Sequence, residues 1–195
     1  MIGQLTGRFI NKTPTHLVVD INGVGYEVNI SLHTFSAISN ADSGTLYTYL
    51  KISEDAFTLY GFAEQSEKEI FIKLIGVSGV GASTARMMLS SMKPFELQHA
   101  ITSSNLKVLE GIKGIGKKTA ERIALELRDK LGILAPGATS LPLQHNTPES
   151  EALEGLMALG IGKAVAEQAI KKVTNTKTDD QITVEAIIKL ALKSL

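Results

Sequence analysis

The sequence predicts an α+β chain in three parts: an N-terminal β-barrel, a central all-α domain and a small C-terminal helical bundle on a tether. Three observations carry this. Residues 1–63 hold five β-rich runs and no helical pattern longer than a turn or two. From residue 64 the periodicity becomes helical, interrupted by two copies of a Gly-apolar-Gly turn. Residues 135–148 then hold three of the five prolines and no Asp, Glu, Lys or Arg, the composition of a flexible linker.

In the first part the β-rich runs are residues 2–12, 16–21, 25–31, 45–52 and 56–62. Asn22-Gly23 between the second and third is a strong hairpin signal. Five short strands in about 60 residues suit a small closed barrel, which leaves no exposed edge. An OB-fold barrel is the expected form. The connection Ser53-Glu54-Asp55 sets two adjacent carboxylates at a hairpin tip. As residues alone they fit either an ordinary solvated turn or a negative point held near a polyanion. Neighbouring side chains on a turn rarely converge on one metal ion, and no third acid lies close in sequence.

In the second part, residues 64–134, Ser66 and Glu69 have capping-box spacing ahead of Ile70, Phe71, Leu74 and Ile75. Helices are expected over 84–91, from Pro94, which suits a first helical turn, over 105–111 behind a Ser104 cap, and from Lys117 to about Leu131, with Gly132 as the stop. The third part, residues 149–195, starts at Thr147-Pro148. It shows three apolar stripes: Leu153, Leu156 and Met157; Val165, Ala169, Ile170 and Val173; Val184, Ile187, Ile188, Ala191 and Leu195. They predict a three-helix bundle with so little core that docking onto a partner would stabilise it.

The glycine turns carry the chemistry. Gly111-Ile112-Lys113-Gly114-Ile115-Gly116-Lys117-Lys118-Thr119-Ala120-Glu121-Arg122 repeats the pattern of Gly76-Val77-Ser78-Gly79-Val80-Gly81-Ala82-Ser83-Thr84-Ala85-Arg86, 35 residues earlier. Glycine permits backbone angles closed to other residues and close approach of another group. A helix start behind it offers free N–H groups and the positive end of the dipole. Together they form an anion site. Lys117, Lys118 and Arg122 add charge, with Lys118 and Arg122 on one face at i,i+4. Interhelical turns alone would explain one copy; two in register resemble tandem helix-hairpin-helix motifs, a family element that grips DNA phosphates through backbone amides, which the resemblance implies here. A nucleotide P-loop fits poorly. Gly111 and Gly116-Lys117 match its outline, but Lys118 stands where a Mg²⁺-binding hydroxyl is needed, and the residues before the loop look helical. A third Gly-Ile-Gly, at 160–162, lacks the earlier glycine, which is Met157 here, and lies in an acidic segment. It reads as a tight interhelical turn resembling the Leu-Gly loop of UBA-like bundles, which bind proteins.

Net charge is zero overall but unevenly spread. Residues 1–63 carry 3 Lys/Arg against 5 Asp/Glu, residues 64–134 carry 11 against 8, and residues 149–195 carry 6 against 7. The only positive segment is the one with both full glycine motifs, where a phosphate footprint belongs. Cysteine is absent, which excludes disulfides and thiolate metal sites and suits a reducing cytoplasm. His16, His33, His99 and His145 show no metal-ligand spacing. No apolar run approaches 18 residues, so no membrane span is expected, and the first residues lack a signal-peptide pattern. No cofactor or metal is implied. A DNA-repair glycosylase or nuclease using the hairpins as a handle is the alternative; it would need a catalytic Lys/Asp pair or carboxylate cluster, and none is visible. A pure scaffold protein is the other.

The chain resembles the RuvA family of bacterial Holliday junction branch-migration subunits over nearly its whole length. The resemblance rests on Met1-Ile2-Gly3, Gly23-Val24-Gly25-Tyr26-Glu27-Val28, Glu54-Asp55-Ala56, Leu59-Tyr60-Gly61-Phe62, Gly79-Val80-Gly81 and residues 114–122. It implies a homotetramer assembled through the barrel domain, and an octamer when a second tetramer covers the junction. It implies four-way junction DNA held open and square, with Glu54 and Asp55 as an acidic pin at the crossover. The DNA-binding set it implies is Gly79, Gly81, Ser83, Thr84, Gly114, Gly116, Lys117, Lys118 and Arg122. It further implies a RuvB ring ATPase docked by the C-terminal bundle, around Leu156, Leu159, Gly160 and Ile161, and a RuvC resolvase in the larger complex. The chain itself would then be a non-catalytic subunit. One departure stands out: residues 82–84 are Ala-Ser-Thr, where this family often carries proline and lysine. The first hairpin would then depend on amides, the two hydroxyls and Arg86, whose direction the sequence leaves open.

Overall fold

The computed structural model describes residues 1–131, 148–176 and 183–194. The Gly132 stop, the expected linker as far as Thr147, and Leu195 lie outside them; Pro148, the last residue of that expected linker, instead opens a helix. The chain divides between Gly137 and Ala138 into two compact units.

The first unit opens with five strands: β1 (Gln4–Ile10), β2 (His16–Ile21), β3 (Val24–Ile30), β4 (Ser43–Ile52) and β5 (Phe57–Phe62). They close into a barrel in the order β1-β2-β3-β5-β4, all antiparallel except β3 with β5. This is the OB-type barrel expected. The β2–β3 turn takes φ 51° at Asn22 and 88° at Gly23, the pair of positive angles that the Asn-Gly signal anticipates. Leu5, Phe9, Leu17, Val19, Val28, Ile30, Leu46 and Leu59 fill the interior. A short helix, α1 (Leu32–Ala37), bridges β3 and β4, with the Ser31 hydroxyl accepting from the Thr34 N–H.

Five helices follow: α2 (Gln65–Ile75), α3 (Ala82–Ser91), α4 (Pro94–Thr102), α5 (Leu106–Glu110) and α6 (Lys117–Leu127). Three details differ from the sequence reading. Helix α2 begins behind Glu64 with no side-chain cap, so Ser66 lies inside it and its hydroxyl donates to Glu64 Oε2 (3.2 Å). Asn105, not Ser104, caps α5, through Oδ1 to the Val108 N–H (3.4 Å); Ser104 sits at φ 53°, outside helical geometry. Helix α6 ends at Leu127, after which Lys130 bonds back only three residues, the tightening usual in a last turn.

Barrel and helices share contacts that make them one body. The α2 residues Glu67, Ile70, Phe71 and Leu74 face inward at i, i+3, i+4 and i+7. The Phe71 ring packs on Tyr60 (5.1 Å), Phe62 (4.9 Å) and, edge-on, Tyr49 (5.6 Å) of the barrel wall. The buried Glu67 carboxylate accepts from the hydroxyls of Ser31 and Thr34, the latter at 2.6 Å. Its burial raises its pKa, partly opposed by these two hydrogen bonds.

The second unit holds α7 (Pro148–Ala158), α8 (Lys163–Thr176) and α9 (Val184–Ser194), the three-helix bundle expected. Its core is Ala152, Leu156, Ala166, Ala169, Ile170, Val173, Ile187 and Ala191. Met157 and Val165, read from sequence as inward, are 45% and 50% exposed. The alanines replace them because small side chains let three short helices approach closely.

Candidate nucleic-acid interface

The two glycine hairpins have nearly the same backbone. Each begins with a glycine closing the preceding helix in right-handed geometry: Gly76 at φ −75°, ψ −14° and Gly111 at φ −65°, ψ −15°. Each passes through a left-handed glycine, Gly79 at φ 90° and Gly114 at φ 91°. Each ends on an extended glycine at the N-cap, Gly81 at φ −81°, ψ 165° and Gly116 at φ −90°, ψ 169°. Between them the apolar residues point inward: Val77 and Val80 in one hairpin, Ile112 and Ile115 in the other, all buried in one helical core. One 3.0 Å bond, Val80 N–H to Val77 carbonyl or Ile115 N–H to Ile112 carbonyl, closes each turn.

What these turns leave unpaired defines the site. Among the described residues, no hydrogen bond reaches the N–H groups of Gly79, Gly81, Ala82, Ser83 and Thr84, or those of Gly114, Gly116, Lys117, Lys118 and Thr119. No side chain caps either helix. The four glycines are exposed, and a Cβ built on any of them meets nothing within 4 Å. Positive φ explains glycine at 79 and 114. Neither angle nor packing explains it at 81 and 116, where Ser, Thr, Asp or Asn would cap the helix. The open space above those amides suits a group that arrives from outside, and an anion fits it best.

Side chains distribute unequally around this pair of clefts. Lys117 and Lys118 are exposed at the second hairpin, and so is Lys113, inside its loop, which sequence reasoning passed over. Its signal was its place between the two turn glycines. Arg122 donates through Nη1 to the Ser78 carbonyl in the first hairpin (3.1 Å), and lies 4.0 Å from Glu126. It therefore bridges the two hairpins while staying 52% exposed. At the first hairpin Ser83 is exposed and Thr84 half-buried. Arg86, whose direction was open, turns away from the cleft: Nη1 donates to the Thr15 carbonyl (3.0 Å) and to Asn29 Oδ1 (2.9 Å) of the barrel. The first hairpin thus presents amides and hydroxyls with no cation of its own.

Glu54 and Asp55 are exposed at the β4–β5 tip, which is closed by the Ser53 N–H and hydroxyl on the Ala56 carbonyl (3.0 and 3.1 Å). In the second unit the Gly160 turn (φ 88°) differs from the two hairpins. Its Ile161 N–H reaches the Leu156 carbonyl (3.1 Å) and its own N–H the Met157 carbonyl (3.0 Å), the paired bonds of a Schellman stop on α7. Leu156 is fully buried between the helices, so it holds the bundle together and is withdrawn from the expected docking set. Leu159 is 63% exposed, Gly160 is exposed and Ile161 is half-buried. Among the described residues no group of three or more metal-ligating side chains occurs, and no helix is long and apolar enough to cross a membrane.

Comparisons with known proteins agree along the chain. Residues 1–61 match the model of the RuvA N terminal domain, residues 71–129 that of the SAM-like helix-hairpin-helix tandem, and residues 147–195 that of the RuvA C-terminal domain. Among similar curated proteins are the "Holliday junction branch migration complex subunit RuvA" of Christiangramia forsetii, 49% identical, and that of Flavobacterium psychrophilum, 47% identical, each over 100% of both chains. The one from Cytophaga hutchinsonii is 43% identical over 99% of both.

Proposed function

The chain belongs to the RuvA family, and on that premise we propose that it binds four-way DNA junctions by their shape and serves as a subunit of a branch-migration complex in recombination and repair. The observation that carries this is the pair of matching hairpins whose exposed glycine N-caps leave the amides of two helix starts unclaimed. Such amides bind phosphate oxygens. Phosphate contacts position a duplex without reading its sequence.

In this reading Gly79, Gly81, Ser83 and Thr84 hold one stretch of backbone and Gly114, Gly116, Lys117 and Lys118 another. Arg122 keeps the two clefts in register, and its exposed edge adds to the field. Lys113 joins the cationic rim. Four copies arranged around the crossover present the pair of clefts once per arm, and a second tetramer can cover the opposite face. Glu54 and Asp55, projecting at the tip, repel phosphates at the centre and keep strands from crowding through it. The C-terminal bundle docks a RuvB-type ring ATPase through Leu159 and the Gly160 turn, with the exposed Met157 and Val165 beside it. That motor supplies the energy, and a RuvC-type resolvase acts on the same assembly. The chain contributes binding rather than bond-making chemistry, in the cytoplasm.

The deciding experiment is a gel shift at fixed salt, comparing a four-way junction with linear duplex of the same sequence and with a second junction of unrelated sequence. Preference for both junctions over duplex is expected. Equal affinity for junction and duplex refutes shape recognition, and Mg²⁺-dependent cleavage of the junction would favour a repair enzyme instead.

A further inference from the structure

The tip of the β4–β5 hairpin carries more than its two carboxylates. Strand β5 pairs with β3 only from Leu59 to Gly61, and β4 pairs with β1 only up to Tyr47. Beyond those points β4 and β5 have only each other, so residues 51–58 leave the barrel as a two-stranded ribbon. On one face of that ribbon Ile52 stands directly opposite Phe57. The alternation that puts Leu46, Leu50 and Leu59 toward the barrel core places this pair on the same face, past the rim. Ile52 is 66% and Phe57 77% exposed.

A barrel ribbon ordinarily carries polar side chains where it runs into water. Here an aliphatic and an aromatic side chain stand together instead, two residues either side of Glu54 and Asp55. We propose that Phe57, backed by Ile52, is a wedge that stacks against an unpaired base at the centre of the junction. This deepens the proposed function and rests on it. The charge pattern selects the occupant. Carboxylates beside the pair exclude the phosphate backbone, whereas the face of a base is neutral, flat and apolar and suffers no such repulsion. Apolar side chains inserted between base steps are a general device for holding a duplex unstacked, and an aromatic platform accepts every base alike, as sequence-independent binding requires. The carboxylates would part the strands and Phe57 would hold the base that is freed. The Ser53 N–H and hydroxyl, both donating to the Ala56 carbonyl, close the turn between the two residues of the pair.

The chain contains no tryptophan, so Phe57→Trp creates a single reporter at this position. Emission of the full-length variant should be that of a solvated indole without DNA, and it should fall on titration with four-way junction but not with linear duplex bound to the same extent. In parallel, Phe57→Ala should lower the preference for junction over duplex roughly tenfold, the scale of one lost base–aromatic stack, and Phe57→Tyr should restore it. Emission already blue-shifted without DNA would place a neighbouring copy of the chain over Phe57 and overturn the proposal. So would unchanged emission on junction binding, or an Ala variant with the parent's preference. If the parent protein shows no junction preference, the functional reading fails as well. A parent that prefers junctions while the reporter stays silent removes only the wedge.

Discussion

Gly114 and Gly116 form a matched pair that separates folding from binding. At Gly114, φ is 91° and a Cβ would meet nothing within 4 Å, so replacement by alanine costs backbone strain and no clash. An L-residue forced into this region costs about 1–3 kcal/mol, offset by the smaller entropy of the unfolded alanine chain, about 0.4–1 kcal/mol. Gly114→Ala should therefore lose roughly 1–2 kcal/mol of stability. At Gly116, φ −90° and ψ 169° are open to any residue, and the space is again empty. Its weaker cap and its entropic gain nearly cancel, leaving a change of about 0.5 kcal/mol or less. Its new methyl group, however, stands among the free amides of Gly116, Lys117 and Lys118. Losing one charge-assisted contact of about 1.5–3 kcal/mol would weaken junction binding by roughly tenfold to a hundredfold. All four tyrosines lie in the barrel, so tyrosine fluorescence in a urea titration follows the first unit alone. Junction affinity is measured at one salt concentration. A Gly116→Ala protein that binds like the parent, or a Gly114→Ala protein as stable as the parent, would refute the reasoning.

Lys117→Ala should weaken binding to all sequences alike and flatten the dependence of log affinity on log salt by about one unit; an unchanged slope would remove Lys117 from the phosphate contacts. Glu54→Gln combined with Asp55→Asn should keep or raise junction affinity in a gel shift while altering branch migration with the motor present; clearly weaker binding would contradict repulsion at the tip. Glu67 predicts a pH effect on stability. Burial raises its folded pKa above the ordinary 4.5, with the charges of His33 and Glu64 nearby as smaller influences. The folded state therefore holds the proton more tightly than the unfolded one, and stability falls as pH rises from 4.5 through the raised value. Glu67→Gln does not titrate, so its urea midpoint should gain on the parent's as pH rises; midpoints that run parallel would show that the carboxyl is not perturbed.

The barrel was legible because its strands carry β-rich runs with turn residues between them, and Asn22-Gly23 marked the β2–β3 hairpin. The hairpin glycines were legible because the same spacing occurs twice. What the sequence hid is mostly direction. Ser104 and Asn105 are both good caps, and only the φ of 53° at Ser104 decides between them. Leu156 and Leu159 look alike in the chain, yet α7 ends at Ala158, so Leu156 packs inside the bundle while Leu159 lies on the turn beyond it and stands in water. The pattern around 76–86 announced a cation at Arg86 but not that it would reach 57 and 71 residues back, to Asn29 and Thr15. Charge counts locate a basic segment; they do not say which side chains are spent on holding the protein itself.

Arg86 and Arg122 show what that expenditure achieves. Arg122 fastens the second hairpin's helix to the first hairpin's loop at Ser78. Arg86 fastens the first hairpin's helix to the barrel, where Phe71 and Glu67 tie α2 as well. An unbroken set of contacts therefore runs from the barrel through one cleft to the other. A protein that recognises a shape must hold its phosphate contacts at set distances from the crossover, and flexible joints between them would forfeit the discrimination. Giving Arg86 to that task leaves the first cleft with neutral donors only. On the proposed function, most of the salt dependence of binding is expected at the second cleft, from Lys113, Lys117, Lys118 and the exposed edge of Arg122, while the amides of the first contribute contacts that added salt weakens less.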